Sequence, residues 1–166
     1  LVHGIDDRPV ESEPQEEKSI SHEETFAEDV SDRDRLRQEL LALVEKVGRR
    51  LRQAERRART IQLKLRFADF RTITRQQSLE DATDSDRVLA AAARALFERQ
   101  ALPQPIRLIG FGVSALENPA VRGRLHQPSL FAEETAPDPA RDRALDRAVD
   151  ELRDQYGHRI IRRGTW

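Results

Sequence analysis

The sequence predicts an α+β domain of the ferredoxin-like, split βαββαβ kind: a four-stranded sheet with two helices on one face, then an extended tail and a C-terminal helix. Three observations predict it. Apolar spacing switches between strand and helix periods in the order strand, helix, strand, strand, helix, strand. The prolines fall between these segments, where they punctuate rather than break them. Hydrophobic residues make up 37% of the 166 and charged residues 36%, enough for one modest core and a well-solvated surface.

The first strand is expected over Ser19-Ile20-Ser21-His22-Glu23-Glu24-Thr25-Phe26, a short and weakly patterned run. Ser31, with Asp34 three residues on, has the form of a capping box opening a helix. Leu36, Leu40, Val44, Val47 and Leu51 then follow at helical spacing, giving one apolar face through about residue 55. From Thr60 to Phe67 every odd residue is apolar and every even one polar, the mark of a strand with one buried and one wet face. Ala68-Asp69 turns the chain into a second polar, β-branched run from Phe70 to Leu79, so the two form a hairpin. Asp84 or Ser85 caps the next helix, whose face is Val88, Leu89, Ala92, Ala93, Leu96 and Phe97 and which runs to about Gln100. Pro103 and Pro105 forbid its continuation. Ile106 to Val113 is an apolar run suited to a buried closing strand.

Composition removes several function classes. With no Cys there is no disulfide framework, thiol nucleophile or Cys-ligated zinc. No apolar stretch approaches the ~20 residues of a membrane span and no signal segment opens the chain, so a cytoplasmic protein without a membrane partner is expected. The absence of any Met predicts a piece of a longer product, or a reading frame whose start codon was read literally. His3, His22, His126 and His158 lack ligand spacing. There is no Gly-rich phosphate loop and no nucleophile beside a base, so no catalytic or metal site is expected. Asp6-Asp7 has no further ligand at useful spacing, which makes both linker residues.

Charge is segregated. Residues 1–31 carry 2 basic and 10 acidic side chains, whereas residues 32–131 carry 20 and 12. Residues 56–77 hold seven basic groups and one acid, Asp69, the electrostatic footprint of a polyanion partner. By alternation, the sheet face left open by the helices displays Gln62, Lys64, Arg66, Thr72, Thr74 and Gln76. Basic, hydroxyl and amide groups on a flat surface suit phosphate oxygens. Almost no aromatic ring belongs to that face, so backbone contact with little sequence reading is expected there rather than base stacking.

Residues 117–137 hold Pro119, Pro128, Pro137 and Gly123 and should be extended. Inside them, Gln127-Pro128-Ser129-Leu130-Phe131 puts two bulky apolar residues in a polar segment. These need a pocket, either on this chain or in a partner's groove, with Gln127 at its rim. Asp138-Pro139 then opens a helix whose face is Leu145, Ala148, Val149, Leu152 and Tyr156, with Gly157 as C-cap.

Residues 18–131 resemble the little-finger domain of Y-family translesion DNA polymerases of the bacterial DNA polymerase IV type. The resemblance lies in Lys18-Ser19-Ile20-Ser21-His22-Glu23-Glu24-Thr25-Phe26, in Leu63-Lys64-Leu65-Arg66-Phe67-Ala68-Asp69-Phe70 with Arg71-Thr72-Ile73-Thr74-Arg75, and in Ile106-Arg107-Leu108-Ile109-Gly110. It implies four parts: residues 1–17 as the end of a thumb and an acidic linker, 18–116 as a DNA-binding little finger, 117–137 as a linker and 138–166 as a helical tail. It also implies that the domain grips the backbone of duplex primer-template DNA as a monomer. Contacts would come from Lys18, Ser19, Ser21 and His22 on the opening strand and from Thr72, Thr74, Arg75 and Gln76 on the hairpin. Gln127, Leu130 and Phe131 resemble the QxxLF peptide by which such polymerases bind the sliding clamp. The family's palm, with its carboxylates and implied Mg2+, lies upstream, so this piece is not catalytic by itself. The closing strand often carries Arg where this chain has Gly112, which weakens the case for a contact there. The alternative is a stand-alone ferredoxin-like adaptor that binds a clamp or another protein and serves no polymerase.

Overall fold

The computed structural model describes residues 18–119 and 139–157. The acidic linker up to residue 17, the peptide Gln127–Phe131 and the end of the tail lie outside the described residues. Elements follow in the order β1 (Ser19–Val30), α1 (Arg33–Gln53), β2 (Arg57–Phe67), β3 (Thr72–Thr83), α2 (Asp86–Glu98), β4 (Ile106–Glu117) and α3 (Pro139–Tyr156). Among the described residues no helix is long and apolar enough to cross a membrane.

The strands form one sheet in the order β1-β4-β2-β3, every neighbouring pair antiparallel. Hence β1 and β2 run parallel with β4 between them, and β3 and β4 run parallel with β2 between them. Two split βαβ units are interleaved, and both crossover helices pack on the same face. α1 lies across β1 and β4 while α2 lies across β2 and β3. The core is sealed between the layers: Leu40, Val44 and Leu51 from α1, Leu89 and Phe97 from α2, and Leu63 and Phe111 from the central strands, all at most 3% exposed. Each such side chain contributes ~1.5–3 kcal/mol by leaving water.

Element ends show where local signals competed. β1 continues beyond Phe26 to Val30 because both side chains are buried, at 9% and 4% exposure. Asp32 rather than Ser31 caps α1: its carboxylate accepts the Asp34 N–H at 2.9 Å. β2 begins at Arg57, three residues before the clean alternation. Phe70 belongs to the hairpin turn and not to β3, with a φ of +68°. Ser85 caps α2 by position but its side chain makes no cap hydrogen bond. The buried face of α2 is turned toward Leu89, Ala90, Ala93, Leu96 and Phe97, which leaves Val88 44% exposed.

α3 buries only part of its apolar stripe: Val149 is 8% exposed, whereas Leu145, Leu152 and Tyr156 are 55%, 41% and 63% exposed. The helix packs instead through its charged side, with Asp146 and Arg153 buried beside Val149. Arg52 of α1 is the hub. Its guanidinium donates to Asp86 at 2.7 Å and to Asp150 at 2.6 Å, and lies 3.7 Å from Asp146. Burial opposes the charged form of Arg52, but the hydrogen bonds it donates to Asp150 and Asp86 outweigh it and raise its pKa. Arg153 reaches Glu45 at 2.7 Å, and Arg49 pairs with Asp154. Asp146 also accepts the Asp86 N–H at 3.1 Å, so α3 supplies the N-terminal cap that Ser85 does not.

Candidate nucleic-acid interface

The register of the three strand pairs places sixteen residues on the open face in four rungs. Written in sheet order, these are Ser19–Ser114–Thr60–Ser78, then Ser21–Gly112–Gln62–Gln76, then Glu23–Gly110–Lys64–Thr74, then Thr25–Leu108–Arg66–Thr72. The alternation of β2 fixes the side: Ile61, Leu63 and Leu65 are buried toward the helices, while Gln62 is exposed and Lys64 and Arg66 half-exposed. Edge strands supply hydroxyls, an amide and the acid Glu23, β2 supplies the two cations, and β4 runs through the middle with Gly112 and Gly110 between Ser114 and Leu108.

The glycines of β4 set that relief. A Cβ on Gly112 would lie 3.0 Å from the Ser21 Cβ, and one on Gly110 would lie 3.2 Å from the Glu23 Cβ. Glycine thus lets β1 close against β4 and leaves a shallow backbone trough between β1 and β2. At Gly112 there is no side chain to make the contact that an Arg would make in the resembling family.

The cations of the face are held. Lys64 Nζ lies 3.0 Å from Glu23 Oε2, across Gly110. Arg66 Nε donates to Thr72 Oγ1 at 2.9 Å. Both pairs are surface contacts of the kind that a phosphate can displace at low cost.

Of the residues singled out by sequence, Ser19, Ser21, Lys64, Arg66, Thr72, Thr74 and Gln76 come together on this face, and Gln62 joins them. Lys18 is exposed one residue before β1. His22 and Arg75 do not share the face. His22 pairs with Phe111, and Arg75 with Leu63, which places both on the helix side of the two edge strands. Burial lowers the His22 pKa, and the nearby Arg50 and Lys46 of α1 lower it further, both favouring the neutral ring. Arg75 is exposed and donates to the Thr74 carbonyl at 3.0 Å. Gln127, Leu130 and Phe131 lie outside the described residues.

Sequence reasoning missed Glu23, the acid that neutralises Lys64, and the hydroxyl rung of Ser114, Thr60 and Ser78. The signal existed in the parity of the four strands, but it needed the strand order to be used. Among the described residues no group of three or more His, Cys, Asp or Glu side chains could hold a metal ion.

The chain is similar to several known proteins. Two curated relatives are DNA polymerase IV from Xanthomonas axonopodis pv. citri (strain 306), 43% identical over 129 residues, and DNA polymerase IV from Dehalococcoides mccartyi (strain CBDB1), 36% identical over 163 residues. The matches cover 75% and 97% of this chain but 35% and 39% of the relatives, so the chain spans little more than a third of their length. A solved complex of a β-clamp processivity factor with the little finger domain of PolIV contains a chain similar to this one. That match has 21% identity and a TM-score of 0.49, over 69% of this chain and 95% of that one. Residues 17–125, which enclose the whole four-stranded unit, match the model of the impB/mucB/samB family C-terminal domain. The chain belongs to the impB/mucB/samB family, of which it carries the C-terminal domain.

Proposed function

We propose that this chain is the DNA-gripping part of an error-prone translesion polymerase of the DNA polymerase IV type, and that residues 127–131 tether it to a sliding clamp during DNA damage tolerance. The observation that carries the reading is the open face. Its rungs of Ser, Thr and Gln with Lys64 and Arg66 lie on one side of a sheet whose other side is sealed by helices. Hydroxyl and amide donors at strand spacing meet phosphate oxygens without reading bases, and the cations displace counterions. Ser19, Ser21, Thr72, Thr74 and Gln76 would take the sugar-phosphate backbone, with Lys64 and Arg66 supplying charge. The clamp contact is supported by the pattern of Gln127, Leu130 and Phe131. Nucleotidyl transfer, with its Mg2+, belongs in this reading to a palm domain outside these 166 residues. The protein then works as a monomer on primer-template DNA in the cytoplasm, held weakly by phosphates and kept close by the clamp.

The test is a duplex-binding titration in rising salt, run beside a clamp-binding assay. Affinity for duplex should fall steeply with salt and depend little on sequence. Leu130→Ala with Phe131→Ala should abolish clamp binding and leave duplex affinity unchanged. Salt-independent binding, or loss of both activities together, would refute the division of labour. Clamp binding without any duplex binding would point to an adaptor instead.

A further inference from the structure

The tip of the β2–β3 hairpin carries an aromatic ring that the fold does not use. Phe70 is 64% exposed, although Phe67 three residues earlier is buried in the core. Its φ of +68° lies in the region that glycine ordinarily fills, so the turn and not packing aims the ring. That turn is well braced. Phe67 N–H donates to the Arg71 carbonyl and Phe70 N–H to the Phe67 carbonyl, both at 2.9 Å. Arg71 N–H donates to the Asp69 carboxylate at 3.0 Å. From the approach to β4, the Pro105 carbonyl accepts the Ala68 N–H at 2.9 Å, and Gln104 exchanges hydrogen bonds with Asp69 at 3.3 and 3.2 Å. A ring on so rigid a support loses little freedom when something stacks on it.

The surroundings identify the occupant. The Arg107 guanidinium lies over the Phe70 ring, 4.4 Å from its centroid, and covers one face. Arg71 stands next in sequence, over the Phe67 ring at 4.9 Å. Arg66 and Thr72 of the adjoining rung continue onto the open face. With Arg107 over one face, the exposed ring therefore stands at the end of the candidate interface, in the turn that closes the Arg66–Thr72 pair and next in sequence to Arg71. Resting on the duplex-gripping reading above, we infer that Phe70 is a stacking platform for an unpaired base in a single-stranded extension of the bound duplex. Every base offers a π face to such a ring, while the cations take the neighbouring phosphates. Intercalation into intact duplex needs both ring faces and an unstacked step, and Arg107 already occupies one face.

The test uses the full chain and three labelled probes at low salt: a blunt duplex, and the same duplex with a short 5′ or 3′ extension. At least one extended probe should bind tighter than the blunt one, by about fivefold to a hundredfold for one stacked base. Phe70→Leu should remove that gain and Phe70→Tyr should keep it, with blunt-duplex affinity unchanged in both. A 2-aminopurine at the first unpaired position should change its fluorescence on binding to the unaltered chain and to Phe70→Tyr, but not to Phe70→Leu. Equal affinity for all three probes, a gain that survives Phe70→Leu, or equal loss on blunt and extended probes would overturn the platform and leave the duplex grip standing. Absence of salt-sensitive binding to every probe would overturn the grip as well.

Discussion

A methyl group on Gly48 would lie 2.0 Å from Asp86 Oδ1. In an exposed helix interior, Gly→Ala gains about 1 kcal/mol of helix propensity. Here the neighbour is a carboxylate only 1% exposed and tied to Arg52, so it has nowhere to swing. Breaking a buried pair costs about 3–5 kcal/mol, and even partial displacement reverses the usual sign. Gly48→Ala is therefore expected to destabilise, by about 1–3 kcal/mol once the propensity gain is set against a partly broken pair. The check is a lower midpoint in urea denaturation with an unchanged slope. Nothing in the sequence around Gly48 announces this, because the partner lies on another helix. His22 and Arg75 were opaque for a related reason. Each sits in a polar edge strand, where both faces read alike until pairing with Phe111 and Leu63 assigns the side.

Strands and helices that bury one clear stripe could be read from sequence. β2 alternates residue by residue, α1 repeats Leu and Val every three or four positions, and both faces are as expected. α3 is the counter-case. Its stripe of Leu145, Leu152 and Tyr156 is left outward because Asp142, Arg143, Asp146, Asp150, Arg153 and Asp154 find partners in α1, in α2 and in Asp84 just before α2. Those pairs join residues widely separated in the chain, and no periodicity encodes them. Asp146 is the most informative member, since it both faces Arg52 and accepts the first N–H of α2. Asp146→Asn keeps an acceptor for that N–H, whereas Asp146→Ala removes it. Loss of an N-cap costs about 0.5–2 kcal/mol, so urea denaturation should show the Ala variant the less stable by roughly that amount. Equal losses in the two would assign the stabilisation to charge and not to the cap.

At the scale of the molecule, two opposite faces divide the charge. On the helix side acids and cations pair between elements, and on the open side the sheet offers hydroxyls and amides with Lys64 and Arg66. Element order and the position of the open face follow from hydrophobic periodicity; the strand order β1-β4-β2-β3 does not, because it depends on which strand each crossover skips. That order matters to function, since it sets Glu23 across Gly110 from Lys64 and so places an acid inside a surface suited to phosphate. If the open face grips duplex as proposed, Glu23 both occupies Lys64 and repels the phosphates. Glu23→Gln is expected to raise duplex affinity at low salt and to steepen log K against log[salt] by up to about one unit, the share of one more neutralised phosphate. Lys64→Gln should weaken binding to all sequences alike and make the slope shallower, the loss here and the gain in Glu23→Gln together amounting to about one unit. Combining the two should leave little further effect of Glu23, because the acid acts mainly through the lysine it holds. Unchanged slopes in both single variants would show that DNA, where it binds, uses some other surface than the open face of the sheet.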